Sequence, residues 1–216
     1  MENPDSRVGV HVYGDAPSHR SRPRAAGYDE WAMARQPSVR LTFEDFLHFP
    51  DDGRRWELID GEAFVTAAPK TRHQRVVLWL VRRIADHLEA HAGGEVFVAP
   101  YDVKFGTHDV VEPDIVFVAD RDAAIIRPER IEGVPTWIME VLSDPHRDRQ
   151  IKRQQYERFG VPEYWIVDSD ADTVEVYVLR EGHYPDPAVH RSPDTIEPAS
   201  IPNLRIDLAA LLARPR

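Results

Sequence analysis

The chain has 216 residues and no cysteine, which excludes disulfides, thiolate metal sites, iron–sulfur clusters and cysteine nucleophiles. Its composition, 42% apolar and 30% charged, is ordinary for a globular protein, and no apolar run approaches the roughly 18 residues of a membrane span. The N-terminus is polar and has no apolar signal segment, so we expect a cytoplasmic protein. The formal net charge of −10 argues against a protein that coats nucleic acid through a broad basic face.

The N-terminal part of the chain divides into a tail and the start of a folded domain. Residues 1–38 are proline-rich and show no sustained periodicity, which predicts a disordered tail followed by one domain over residues 39–216. Thr42 and Asp45 have the spacing of a capping box, which predicts a short helix ending at Phe49. The Asp-Gly pair in residues 56–65 predicts a β-hairpin.

The rest of the chain alternates between helical and strand patterns. Between residues 71 and 91 one apolar stripe has helical spacing and ends before two glycines; it consists of Val76, Val77, Leu80, Val81, Ile84 and Leu88. Three strands are predicted next, over residues 95–105, 110–119 and 136–142. A helix over 147–159 follows, stopped by Gly160, and then strands over 161–168 and 173–179, of which the second lies at a sheet edge. A loop over 183–202 and a helix over 208–213, capped by Asp207, come last. This order predicts an α/β fold with a mixed sheet flanked by helices.

Two acidic residues interrupt strands that are otherwise almost continuously apolar. Asp114 lies in the run 110–118 and Glu140 in the run 137–142, a pattern typical of strands covered on both faces. A carboxylate in such a place is costly unless it is paired or bound to a metal. Two oxygen donors on neighbouring strands suit Mg²⁺ or Mn²⁺. The alternative is that each residue lies at a strand end and forms an ordinary salt bridge or cap.

Three further residues are weaker candidates for the same site. Lys152 lies on the predicted helix after Glu140, so its ammonium could reach a metal-bound water or the charge that develops on a phosphate; alternatively it forms a solvated pair with Asp148. Glu57 could be a third acidic ligand or a solvent-facing strand residue. His73, at the start of the long helix, could contact a phosphate or the site, or could be a surface or capping residue.

Basic residues are concentrated in two of the predicted helices. Residues 70–85 contain five basic and no acidic residues, and residues 146–158 contain five basic and two acidic ones. Two such helices in an acidic protein could attract a phosphate backbone to one side of the fold. The alternative is that these residues form the solvent faces of amphipathic helices.

Several short segments together resemble the Uma family of "putative restriction endonucleases", part of the PD-(D/E)XK nuclease superfamily. The resemblance rests on residues 111–115 (VEPDI), residues 138–143 (IMEVLS), Lys152 with Tyr156, and residues 160–168 (GVPEYWIVD). Residues 56–62 (WELIDGE) and His73 also match the family's N-terminal pattern. The resemblance covers about residues 40–212.

The resemblance implies a restriction-endonuclease-like mixed sheet with an N-terminal hairpin extension and Mg²⁺-dependent hydrolysis of DNA phosphodiester bonds, with Mn²⁺ as the other metal. The superfamily pattern is an aspartate followed by Glu-x-Lys on the next strand. Asp114 and Glu140 match the two acidic residues and would hold the metal, but Leu142 occupies the lysine position. Lys152 would then replace that lysine as the third catalytic residue. Because superfamily nucleases often pair to cut two strands, the resemblance also allows a homodimer.

Two other functions compete with a DNA endonuclease. A protein with this fold could bind nucleic acid or a protein partner without cutting; retention of Asp114, Glu140 and Lys152 together favours the enzyme. A metal-free hydrolase that uses Asp114 and Glu140 as an acid–base pair ranks last, because nothing in the sequence indicates a sugar site.

Overall fold

The fold is known from a computed structural model that describes residues 39–213. The tail predicted over residues 1–38 lies outside this part of the chain. Among the described residues, no helix combines the length and apolar composition needed to cross a lipid bilayer.

Two mixed sheets form the frame of the described residues. The first has six strands in the order β11 (Ala188–Arg191), β10 (Thr173–Val178), β9 (Glu163–Asp168), β8 (Trp137–Val141), β6 (Ile115–Ala119) and β3 (Gly94–Val98). The second has five strands in the order β2 (Glu62–Thr66), β1 (Arg55–Ile59), β5 (Asp109–Val111), β4 (Asp102–Gly106) and β7 (Arg130–Glu132). The parallel pairs are β8 with β9 and β4 with β7. Strands β12 (Thr195–Ile196) and β13 (Ile206–Asp207) form a short separate pair.

Helices cover this frame, which confirms the predicted mixed α/β fold. They are α1 (Phe43–Phe46), α2 (Thr71–His91), a 3₁₀ helix (Asp120–Ile125), a π-helical turn (Arg147–Lys152) that continues into α3 (Arg153–Phe159), and α4 (Leu208–Leu211). Helix α2 buries Val76, Val77, Leu80 and Ile84, and Val81 and Leu88 are partly buried, so the predicted stripe is correct.

The six-stranded sheet is central because both of its faces are covered. In β6, Ile115 and Phe117 pack with α2 and α4, whereas Val116 and Val118 pack with the five-stranded sheet and α3. The same alternation in β8 gives Ile138 to the second face, and Glu140, two residues later, shares it. Sheet geometry therefore directs the Glu140 side chain towards α3.

The hairpin β1–β2 forms as predicted and supplies two strands of the five-stranded sheet. Asp60 and Gly61 have positive φ values of 52° and 79°, as a two-residue type I′ turn requires. Leu58 pairs with Val110, which joins β1 to β5 next to Glu57.

Two of the predicted strands are wrong in their extent, because the chain changes sheets in the middle of each. Residues 99–101 separate β3 from β4, and residues 112–114 separate β5 from β6. Each break contains a proline, Pro100 or Pro113, which cannot donate to a strand ladder. Asp114 therefore lies just before a strand, at one of these changes of sheet.

Smaller corrections concern the connections and edges. Strand β7 and the 3₁₀ helix carry too little periodicity to be predicted from sequence. Strand β10 is not an edge strand, because β11, within the predicted loop, pairs with it. Helix α1 has the capping box but ends at Phe46 instead of Phe49.

The residues predicted to stop α3 and to cap α4 do so in the structure. Gly160 stops α3 in the left-handed conformation, at φ 79°. Asp207 caps α4 by accepting hydrogen bonds from the backbone N–H groups of Ala209 and Ala210.

Candidate functional site

The predicted site residues meet in one cleft where the two sheets and α2 come together. Asp114, Glu140, Lys152 and His73 all line it, and Glu57 contacts Lys152 from β1. The enclosed part of the cleft has a volume of about 10 Å³, close to the space of a single water molecule or ion.

Asp114 is held between α2 and β8. Its Oδ2 lies 2.9 Å from His73 Nε2 and accepts a 2.8 Å hydrogen bond from the backbone N–H of Val141. Its Oδ1 faces Arg55 Nη1 at 3.9 Å. Since Val141 follows Glu140, these contacts hold Asp114, which lies just before β6, beside Glu140 in the neighbouring strand β8.

His73 is buried against this carboxylate, so the alternative of a surface histidine is wrong. Its Nδ1 has no hydrogen-bond partner among the described residues. Nε2 is the ring nitrogen that faces Asp114, so this contact fixes the imidazole against the carboxylate. His73 therefore orients Asp114.

Glu140 is buried and bonded to two residues of the following helix. Lys152 Nζ lies 2.8 Å from Glu140 Oε1, and the Tyr156 hydroxyl donates a 2.9 Å hydrogen bond to the same oxygen. Burial raises the pKa of Glu140 to about 8, with Asp114 nearby adding to the rise, although the Lys152 ammonium opposes it. Burial is therefore the main reason that this pKa lies above its ordinary value.

Glu57 is fully buried, so the alternative of a solvent-facing strand residue is wrong. Its Oε1 lies 2.7 Å from Lys152 Nζ and accepts the backbone N–H of Glu112 at 3.1 Å. Burial alone would raise the pKa of Glu57, but Lys152 and then Arg147 lower it below its ordinary value.

Lys152 is therefore not the solvated partner of Asp148 that its spacing allowed. Its ammonium lies between Glu57 and Glu140, less than 3 Å from each. Burial lowers the pKa of Lys152, but Glu140 and Glu57 raise it above its ordinary value, so the side chain is charged.

The π-helical turn explains how this helix buries so many polar groups. Its wide i to i+5 repeat lets Arg147, Asp148 and Lys152 all point inwards. Arg147 Nη1 donates to the Val65 carbonyl at 3.2 Å, and Asp148 accepts the backbone N–H of Ser143 at 3.3 Å. Sequence reasoning missed these roles of Arg147 and Asp148, because a helical spacing of 3.6 residues does not predict this inward face.

Arg55 is the other residue that the sequence did not indicate. It forms an ion pair with Glu112 and donates to the Glu112 carbonyl at 2.8 Å, at the border of the cleft. Because the chain is rich in arginine, nothing in the sequence distinguishes Arg55 from the other arginines.

The second basic helix does not present a uniformly positive face. Arg149 pairs with Asp168 and Glu175, and Arg153 and Arg158 also form ion pairs with acidic side chains. These pairs reduce the local charge that was expected to attract phosphate.

The cleft fits a divalent cation by its charge and donor chemistry. Among the described residues of the cleft, five acidic side chains outnumber three basic ones: Glu57, Glu112, Asp114, Glu140 and Asp148 against Arg55, Arg147 and Lys152. Within residues 39–213, no three histidine, aspartate or glutamate side chains form a group that could hold a metal by themselves. Mg²⁺ is commonly bound by one or two carboxylates completed by water and substrate phosphates, which Asp114 and Glu140 match.

Asp102, in β4 beside this cluster, gives a stability prediction that depends on pH. Burial and the neighbouring Glu112 raise its pKa to about 6, against 3.8 for an ordinary aspartate. The folded state therefore binds more protons, and the free energy of unfolding falls as the pH rises from about 4 to about 6. Asp102→Asn should raise the free energy of unfolding by up to about 3 kcal/mol near pH 8.

Urea unfolding of wild type and Asp102→Asn at both ends of this range measures the effect. Near pH 4 the two proteins should be equally stable, which serves as the internal control. A stability gain of the same size at both values would contradict an origin in the buried charge.

Comparison with known proteins supports the fold and gives a family. A family model described as "Uma2: Putative restriction endonuclease" matches residues 43–209. A crystal structure described as "a putative nuclease belonging to DUF820" from Anabaena variabilis ATCC 29413 is similar in fold, with a TM-score of 0.68 and 20% sequence identity over 80% of this chain and 97% of that one. No curated protein matches the sequence.

Proposed function

Given that the chain belongs to the Uma2 family, we propose that it is a Mg²⁺-dependent endonuclease that hydrolyses phosphodiester bonds of DNA. The observation that carries the proposal is the buried cleft in which Asp114, Glu140 and Lys152 converge. Acidic groups on two neighbouring strands, next to one charged lysine, match the chemistry of metal-assisted phosphodiester cleavage.

Asp114 and Glu140 would hold the metal, with Mn²⁺ as the alternative to Mg²⁺. When bound, the ion supplies Lewis-acid stabilisation of a phosphate oxygen and lowers the pKa of a water ligand. The Val141 N–H and His73 hold Asp114 in place for this task.

Lys152 would stabilise the negative charge that develops on the phosphate. Its ammonium is preorganised by Glu57 on one side and Glu140 on the other, so it need not reorient during the reaction. Glu57 is then a positioning residue, because it touches Lys152 and the backbone of Glu112.

A nucleic-acid-binding protein without nuclease activity is the second candidate. It is favoured by the pairing of Lys152 with both Glu57 and Glu140, which resembles a structural ion pair, and by the lack of a three-residue metal group in the described part of the chain. In such a binding protein, the buried charges would only stabilise the fold.

Incubation of the protein with plasmid DNA, single-stranded DNA and RNA tests the proposal. We expect cleavage of DNA with Mg²⁺ or Mn²⁺ and none with EDTA. Cleavage that persists in EDTA, or preparations that bind DNA but never cut it with either metal, would rule the proposal out in favour of another chemistry or of the binding protein.

A further inference from the structure

A second cavity lies beside the cleft and shares several lining residues with it. Its volume is about 210 Å³, and Arg55, His73 and Asp114 line both spaces. A molecule in this cavity would therefore touch the residue that we propose as a metal ligand.

The wall that belongs to this cavity alone is almost entirely apolar. It consists of Val77, Val98, Ala99 and Pro100, with Gln74 as its polar residue. An apolar cavity of about 150 Å³ holds a benzene ring, so this one has room for a larger planar ring. The Gln74 amide offers both a donor and an acceptor, the combination that recognises the edge of a nucleobase.

The wall is fixed relative to the catalytic carboxylate by backbone contacts. Val98 in β3 pairs with Ile115 in β6, the residue after Asp114. The backbone N–H of Ala99 donates to the Asp114 carbonyl at 3.2 Å. Because the cavity and the carboxylate share this backbone, a ring bound in one has a defined position relative to the other.

We infer that this cavity binds one unpaired nucleobase of the strand whose phosphate lies at Asp114 and Glu140. The inference rests on the proposed nuclease function and specifies its substrate: a nucleotide in a single strand, or one turned out of a duplex. A base that remains stacked and paired exposes only its groove edges, so its faces cannot enter such a cavity.

Binding measured in EDTA tests the cavity separately from cleavage. Fluorescence anisotropy would compare a single-stranded thymidine hexamer with an abasic hexamer that has the same number of phosphates. We expect wild type to bind the thymidine hexamer about tenfold more tightly, because stacking of a base on the cavity wall adds affinity that phosphates cannot supply.

Val98→Trp would fill the cavity and should reduce binding of the thymidine hexamer to the abasic level. Val189→Trp is the matched control: Val189 is 52% exposed and lies on β11, at the opposite edge of the same sheet, and Val98 is 43% exposed on β3. If Val98→Trp does not fold, Gln74→Ala, at an exposed helical position, should weaken thymidine binding about fivefold and leave abasic binding unchanged.

A Mg²⁺ cleavage assay separates this inference from the proposed function. We expect a single strand to be cut at least about tenfold faster than the same strand in a full duplex, since turning out a paired base costs energy. Equal affinity for both hexamers, or a base preference that survives Val98→Trp and Gln74→Ala, would overturn the inference even if DNA is cut. A base preference without any cleavage would overturn only the nuclease proposal.

Discussion

Replacing Glu140 with glutamine should abolish Mg²⁺-dependent DNA cleavage and leave DNA binding as strong as in wild type or stronger. Glutamine keeps the size of the side chain but removes the charge that we propose as a metal ligand, and it removes a negative charge that would face phosphate. We expect a rate loss of at least about a hundredfold, the scale of losing a preorganised electrostatic contact. Plasmid cleavage with Mg²⁺ and anisotropy in EDTA measure the two effects.

Glu175→Gln is the control for this experiment. Glu175 is a partly buried glutamate in β10 that is paired with a cation, Arg149, as Glu140 is paired with Lys152, but it does not line the cleft. The Glu175→Gln variant should leave the cleavage rate within about twofold of wild type, because surface ion pairs contribute little to stability. Undiminished cleavage by folded Glu140→Gln would contradict the proposed mechanism.

Replacing Lys152 with methionine should destabilise the protein by about 3–5 kcal/mol, because it leaves the carboxylates of Glu57 and Glu140 buried without the ammonium between them. Adding Glu57→Gln to Lys152→Met removes one of the two carboxylates left without a cation and should recover part of the lost stability. The double variant should still be inactive, because it lacks the cation that we propose for stabilising the phosphate charge. Urea unfolding and plasmid cleavage separate the structural role of Lys152 from its role in the reaction.

Arg149→Met gives the comparison for an ion pair near the surface. Arg149 bridges Asp168 and Glu175 but is about one-third exposed, so its loss should cost no more than about 1 kcal/mol. If Lys152→Met costs as little as Arg149→Met, the buried arrangement of the three charges is wrong.

The sequence predicted well those elements whose local residue pattern indicates burial or a turn. The almost continuously apolar runs 110–118 and 137–142 made Asp114 and Glu140 conspicuous as charges, and both residues are buried in one cleft. The helical stripe of α2, the Asp-Gly turn and Gly160 likewise carry their own structural signals. The assignment of Asp114 and Glu140 as a metal site is still a prediction.

The features that escaped prediction depend on contacts distant in sequence. Glu57 could be named from the sequence only as a candidate ligand, with an exposed strand residue as the alternative. Its contact with Lys152, which joins β1 to the helix after β8, could not be predicted. Arg55 becomes part of the site through Glu112 and Asp114, 57 and 59 positions later. The division of two predicted strands between two sheets is set by the packing of those sheets and not by any local period.

The chain moves between its two sheets again and again: β1 and β2 lie in the smaller sheet, β3 in the larger, β4 and β5 in the smaller, β6 in the larger and β7 in the smaller, before β8 to β11 complete the larger. Neither sheet is a continuous stretch of sequence, so no single cut in the chain releases one of them intact. Each sheet needs strands from both sides of an excursion into the other, which makes the pair one cooperative unit with many long-range contacts. The cleft, to which the crossing at residues 112–114 contributes Glu112 and Asp114, therefore assembles only when the whole unit does.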